Sequence, residues 1–106
     1  MIVSYHPDFP KDIKRFEAQY REVSERLGLR FRAEVDQAIE RIKASPSSAG
    51  HFLNTGSHVV KEVRRRNLVS FPFFILYGVT GERLVFRSII ASASDPLTWL
   101  KRLPPS

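Results

Sequence analysis

This sequence predicts a single α+β domain, and two observations carry that prediction. Apolar residues recur at alternating four- and three-residue spacing through its first half, the stripe of an amphipathic helix. The second half changes to short β-branched and aromatic runs separated by turn residues. At 106 residues with 42% hydrophobic content, the chain has the material for one core, and residues 1–106 are expected to form one domain.

The opening "MIVSY" reads as a short strand, ended by the turn-forming "HPDFP". Phe9, Ile13, Phe16, Tyr20, Val23 and Leu27 then mark the apolar stripe of a first helix. Asp8 stands where an N-cap is expected, with Pro10 in the first turn. Gly28 signals an end or sharp bend. A second helix follows with Phe31, Val35, Ala38, Ile39 and Ile42 on one face, and "SPSSAG" stops it at Pro46 and Gly50. So short a connection predicts an antiparallel helical hairpin.

"HFLNTGSHV" reads as loop, and three strands follow: "HVVKEVRR", "LVSFPFFILY" and "ERLVFRSII". The turns between them fall at "RN" and at "GVTG", giving a three-stranded antiparallel meander. Pro72 cannot donate to a ladder, so it belongs at a strand start, an edge or a bulge. Phe71, Phe73 and Phe74 supply apolar surface to both faces of that strand. Asp95 and Pro96 open a short C-terminal helix, "DPLTWLKRL", on which Trp99, Leu100 and Leu103 form an anchor. The helical hairpin is expected to cover one face of the sheet.

The chain has no cysteine, which removes disulfide and thiolate chemistry and fits a reducing cytoplasm. Its N-terminus lacks the pattern of a signal peptide, and its longest apolar run is too short to span a bilayer, so no membrane association is expected. His6, His51 and His58 are isolated, without the paired spacing that holds a metal. No phosphate loop, dinucleotide fingerprint or nucleophile elbow is present, and neither catalytic residue nor cofactor is expected.

Charge is the remaining signal. The net charge is +6, divided unequally: +1 through Ser57 and +5 from His58 onward. The second half should therefore attract something anionic, either phosphate or an acidic protein segment. Its cations centre on Arg64, Arg65 and Arg66. In a regular strand Arg64 and Arg66 share one face and Arg65 takes the other. They can guard a strand end against aggregation or receive a partner. Arg87, inside an apolar strand, adds to the second reading, because burying it without a counter-charge would be costly. As a nucleic-acid module, the chain would lose affinity steeply with salt.

The run "VRRRNLVSFPFFILYGV", followed by "ERLVFRSIIASASDPLTWLKR", resembles the ParE branch of the RelE/ParE toxin superfamily of type II toxin–antitoxin modules. The resemblance covers nearly the whole chain through the order of its pieces. It implies a protein-binding inhibitor of DNA gyrase, neutralised in a hetero-oligomeric complex by a cognate antitoxin. That antitoxin's acidic C-terminal segment would fold onto the hairpin and sheet, and DNA would be engaged only through it. Arg64, Arg65, Arg66, Arg87, Tyr77 and Trp99 are the residues expected to meet partners. The RelE branch instead cleaves mRNA on the ribosome with cationic and acid/base side chains. Its strand arginine falls here at Phe74, and its late basic residue falls within Ala91–Ser94, "ASAS". The alternatives are thus a RelE-like endoribonuclease and a degenerate toxin that binds only its antitoxin.

Overall fold

A computed structural model describes residues 2–47, 51–53 and 63–92. Its elements run β1 (Ile2–Tyr5), α1 (Asp8–Val23), α2 (Glu25–Ala44), β2 (His51–Leu53), β3 (Val63–Asn67), β4 (Phe73–Thr80) and β5 (Arg83–Ala91). The strands form one five-stranded sheet in the order β1-β5-β4-β3-β2. β3, β4 and β5 are the antiparallel meander, while β1 joins β5 in parallel at the far edge. Residues 51–53 had been expected as loop; they pair antiparallel with β3 and extend the sheet. "HFL" is too short for its pattern to distinguish strand from loop, and the β3 edge decides it. The expected helix from Asp95 lies outside the described residues.

α1 and α2 are separated by one residue. Ser24, not Gly28, makes the break: it is extended at φ −163° and ψ 131°. It serves both helices at once, donating its N–H to the Tyr20 carbonyl at 3.0 Å and accepting Leu27 N–H on Oγ at 3.4 Å. Leu27 therefore belongs to α2. Gly28 is a packing residue, because a Cβ there would lie 2.2 Å from Arg21 Cγ and 3.3 Å from Arg21 Cα. The expectation for the start of α1 is corrected as well. The cap position is Pro7, and Asp8 is the first helical residue, donating its N–H to His6 Nδ1 at 3.1 Å. The helices run antiparallel: Glu17 of α1 reaches Arg32 of α2, and Phe9 and Ile13 share a cleft with Asp36 and Ile39.

Alternation in β4 decides which sheet face the hairpin covers. Phe73, Ile75, Tyr77 and Val79 are buried on that face, and Leu84, Phe86 and Ile89 join them from β5. From the helices come Phe9, Ile13, Tyr20, Phe31, Val35, Ala38 and Ile42. Tyr20, Phe31, Phe71 and Phe73 lock the layers together, with ring centroids 5.1–6.2 Å apart in tilted and edge-on geometries. Val23, expected on the apolar stripe, lies beyond this contact and is exposed.

The β3–β4 connection is longer than "RN". Arg66 and Asn67 remain in β3, and residues 68–72 make the crossing. Pro72 lies just ahead of β4, where its missing N–H costs nothing, at the centre of a tight turn closed by Phe73 N–H on the Phe71 carbonyl at 2.8 Å. The β4–β5 hairpin closes through Gly81 and Glu82. Gly81 has φ +59° and no non-glycine among the described residues has positive φ, the pattern of a type II′ turn.

Candidate partner-binding surface

The register separates the arginines as strand alternation requires. Arg64 lies opposite Tyr77 and Arg66 opposite Ile75, on the hairpin side of the sheet. Arg65 lies opposite Leu76 on the other side. All three are half-buried. Arg65 is held flat by two bonds to Asn67 Oδ1, from Nε at 3.3 Å and Nη2 at 2.9 Å, with its guanidinium 4.1 Å from the Phe74 ring centroid. Both contacts are with neutral groups, so among the described residues the charge is oriented without a carboxylate beside it.

Arg87 does not join this group. The β4–β5 register shifts between Leu76 and Tyr77, pairing Leu76 with Ser88 and Tyr77 with Phe86. Arg87 is the extra residue of a β-bulge. It is exposed, and β4 stands between it and β3. Tyr77, expected to meet partners, is instead in the core at 0% exposure, and its hydroxyl donates to the Pro46 carbonyl at 3.0 Å. It ties β4 to the residues just past α2. Trp99 lies outside the described residues.

The structure adds residues that the sequence reading passed over. Glu34 of α2 accepts the backbone N–H groups of Val69 and, at 2.8 Å, Ser70, pinning the β3–β4 connection to the helix. A cleft of about 320 Å³ opens there, lined by Arg30, Glu34 and Arg41 of α2, by Arg66 of β3, and by Val69 and Ser70. Residues 30, 34, 37 and 41 fall at helical spacing, a polar stripe beside the apolar one. That stripe was the available signal, but only the connection from the sheet turns it into a cleft.

Elsewhere on the hairpin most carboxylates are occupied close to home. Asp12 pairs with Arg15, Asp36 with Arg32 and Glu40 with Lys43, at 3.1–3.3 Å. Glu17 bridges Arg21 at 2.9 Å and Arg32 at 3.6 Å, joining the two helices. Among the described residues no charged side chain is buried, and no group of acidic residues and histidines is placed to hold a metal ion. No helix among them is long and apolar enough to cross a membrane.

This order of elements, with a helical hairpin over one face of the sheet, is the RelE/ParE-like α+β fold. No family model and no curated protein matches the sequence. Among solved structures, the chain is similar to one from the chromosomal ParDE TA system from P. aeruginosa, with a TM-score of 0.58 at 19% sequence identity. The match covers 88% of this chain and 97% of that one.

Proposed function

We propose that this chain is the toxin of a type II toxin–antitoxin module, acting in the cytoplasm as an inhibitor that binds a protein target. The observation that carries the reading is the likeness of fold to a ParDE chain over almost the full length of both. The charge distribution agrees with it. Between residues 63 and 92 the one acidic side chain is Glu82, against Arg64, Arg65, Arg66, Arg83 and Arg87. A cognate antitoxin with an acidic segment would find its complement there, in a hetero-oligomeric complex that engages DNA through the antitoxin.

DNA gyrase is the target that the sequence resemblance implies. Inhibition by binding requires no acid/base residue of the toxin's own. Tyr77, at best a weak substitute for the basic residues of a RelE-like nuclease, is buried and donates its hydroxyl to the Pro46 carbonyl. The test is a gyrase supercoiling assay with purified chain, run beside translating ribosomes with mRNA. Loss of supercoiling with intact mRNA is the expected result. Cleaved mRNA with unaffected gyrase would overturn the reading in favour of a ribonuclease.

A further inference from the structure

We infer that Ser24 is a swap hinge: by straightening there, this chain exchanges its β1–α1 arm, residues 2–23, with a second copy of itself to form a two-fold dimer. The sequence across the hinge has the pattern of one uninterrupted helix. Its apolar stripe advances in steps of three and four from Phe9 through Tyr20, Val23, Leu27 and Phe31 to Ile42. Neither proline nor glycine stands at the break, and Ser24 is the one residue between helices of 16 and 20 residues. Two bonds that cross it, Ser24 N–H on the Tyr20 carbonyl at 3.0 Å and Gly28 N–H on the Ser24 carbonyl at 3.2 Å, already have α-helical spacing. The break leaves Glu25, Arg26 and Leu27 as the open donors of a helix start, and Leu27 finds Ser24 Oγ at a long 3.4 Å. Straightening offers all three N–H groups the carbonyls of Arg21, Glu22 and Val23. It also sets Glu22 and Arg26, which form no ion pair among the described residues, four positions apart on one helix, where they attract. The crowding of Gly28 by Arg21 disappears, because a straight helix separates them by about 10 Å along its axis.

Two copies opened in this way complement each other. The hairpin helices are antiparallel, so two straight helices laid antiparallel place α1 of each copy on α2 of the other and rebuild both hairpin interfaces. The Glu17–Arg32 ion pair, the stacking of Phe9 on Phe86 and the parallel β1–β5 ladder re-form between copies. Only the hinge changes, which is the condition under which swapping costs little. Val23 supplies the second observation. It stands on the apolar stripe yet is 58% exposed in the hairpin. In the swapped dimer it comes beside the two-fold axis and is covered by its counterpart.

Phe9, Ile13 and Tyr20 anchor the arm in the core at 1–3% exposure, so exchange requires unfolding. The full chain is therefore refolded from urea at low and at high concentration, and its mass is followed by size-exclusion chromatography with light scattering. Low concentration should return monomer, and high concentration a slowly exchanging dimer. Gly28→Ala, crowded in the hairpin and favoured in a continuous helix, should raise the dimer-to-monomer ratio about tenfold. Ser24→Ala, which removes the cap, should act in the same direction and carries the test if Gly28→Ala fails to fold by circular dichroism. Glu25→Pro should abolish the dimer. Proline is favoured as a first helical residue and tolerates the extended Ser24 before it, but it is excluded from a helix interior. Spin labels on Lys11→Cys and Glu40→Cys, both exposed positions, lie within about 20 Å across the hairpin. Within one chain of a swapped dimer, diluted with unlabelled chain, they lie about 43 Å apart. A wild-type chain that stays monomeric at every concentration, a dimer that survives Glu25→Pro, or a dimer with only the short label distance would overturn the inference. Gyrase inhibition is read in a separate assay, so the toxin reading and the swap can each fail without the other.

Discussion

Arg32 and Arg65 are both partly exposed arginines, and the difference between their surroundings separates the two halves of this molecule. Arg32, on the hairpin, lies between the carboxylates of Asp36 and Glu17. Arg65, on the sheet, rests on the amide oxygen of Asn67 and the face of Phe74. A helix brings residues three and four apart together, so the "D..R" of Asp12–Arg15 and the "E...R" of Glu17–Arg21 neutralise themselves locally. A strand places neighbouring side chains on opposite faces, and its partners across the ladder come from distant sequence. On β4 the partners opposite the β3 arginines are Ile75, Leu76 and Tyr77, none of them acidic. The hairpin therefore pairs much of its charge locally, although Arg30 and Arg41 form no ion pair among the described residues, while Arg65 on the sheet meets neutral groups.

The largest test asks whether the two halves are one folding unit. Phe73→Ala should lower unfolding free energy by about 3–5 kcal/mol, because its ring joins Phe16, Tyr20 and Phe31 of the hairpin to β4. Urea denaturation followed by helix and by aromatic signals should give coincident transitions. Two separated transitions would mean that the hairpin and sheet fold apart.

Next comes Glu34→Ala, which leaves the part-buried Ser70 N–H without its acceptor and should cost about 1–3 kcal/mol. Glu34→Gln keeps an acceptor oxygen and should recover most of that loss in the same denaturation experiment. Equal damage from both would show that the charge, rather than the two backbone bonds, holds the connection.

Tyr77→Phe should cost about 1 kcal/mol, one hydrogen bond, and leave growth arrest in cells unchanged. Loss of arrest from a protein of near-normal thermal stability would restore a direct role for the hydroxyl.

The smallest stability effects belong to the arginines. Arg32→Gln should change stability by at most about 1 kcal/mol, since Arg32 and Asp36 are well exposed and the contact with the more buried Glu17 is long at 3.6 Å. Arg65→Ala should cost no more than about 1 kcal/mol. Their effects on partner binding should diverge, with only Arg65→Ala weakening the proposed antitoxin complex in a pull-down or calorimetric titration. Equal loss from both would erase the distinction between the halves.

Much of the fold was legible because its signals are local. The stripe through Phe9, Ile13, Phe16 and Tyr20, its continuation through Phe31, Val35, Ala38 and Ile42, and the β-prone runs around Phe73 and Leu84 each announce an element within a few residues. Punctuation was read less well. Gly28 looked like the helix end because glycine commonly ends helices, yet it is required by the approach of Arg21, and the terminating conformation is at Ser24. The candidate surface was half legible. Alternation correctly divided Arg65 from Arg64 and Arg66, but a strand tyrosine carries no mark of which face it takes, and Tyr77 takes the core.

By itself the sequence determined the opening strand, the two helices and the three meander strands, the excess of cations in its second half and the resemblance of its whole order to a toxin fold. These follow from periodicity, composition and the succession of motifs, none of which needs a third dimension. Tertiary structure alone decided that residues 51–53 extend the sheet, that a bulge sets Arg87 apart, and that Glu34 pins the connection to leave a basic cleft between Arg30 and Arg41. Each of these joins residues far apart in the chain through ladder register or a side chain bonded to distant backbone, and such pairings are fixed only when the two layers close on a shared core.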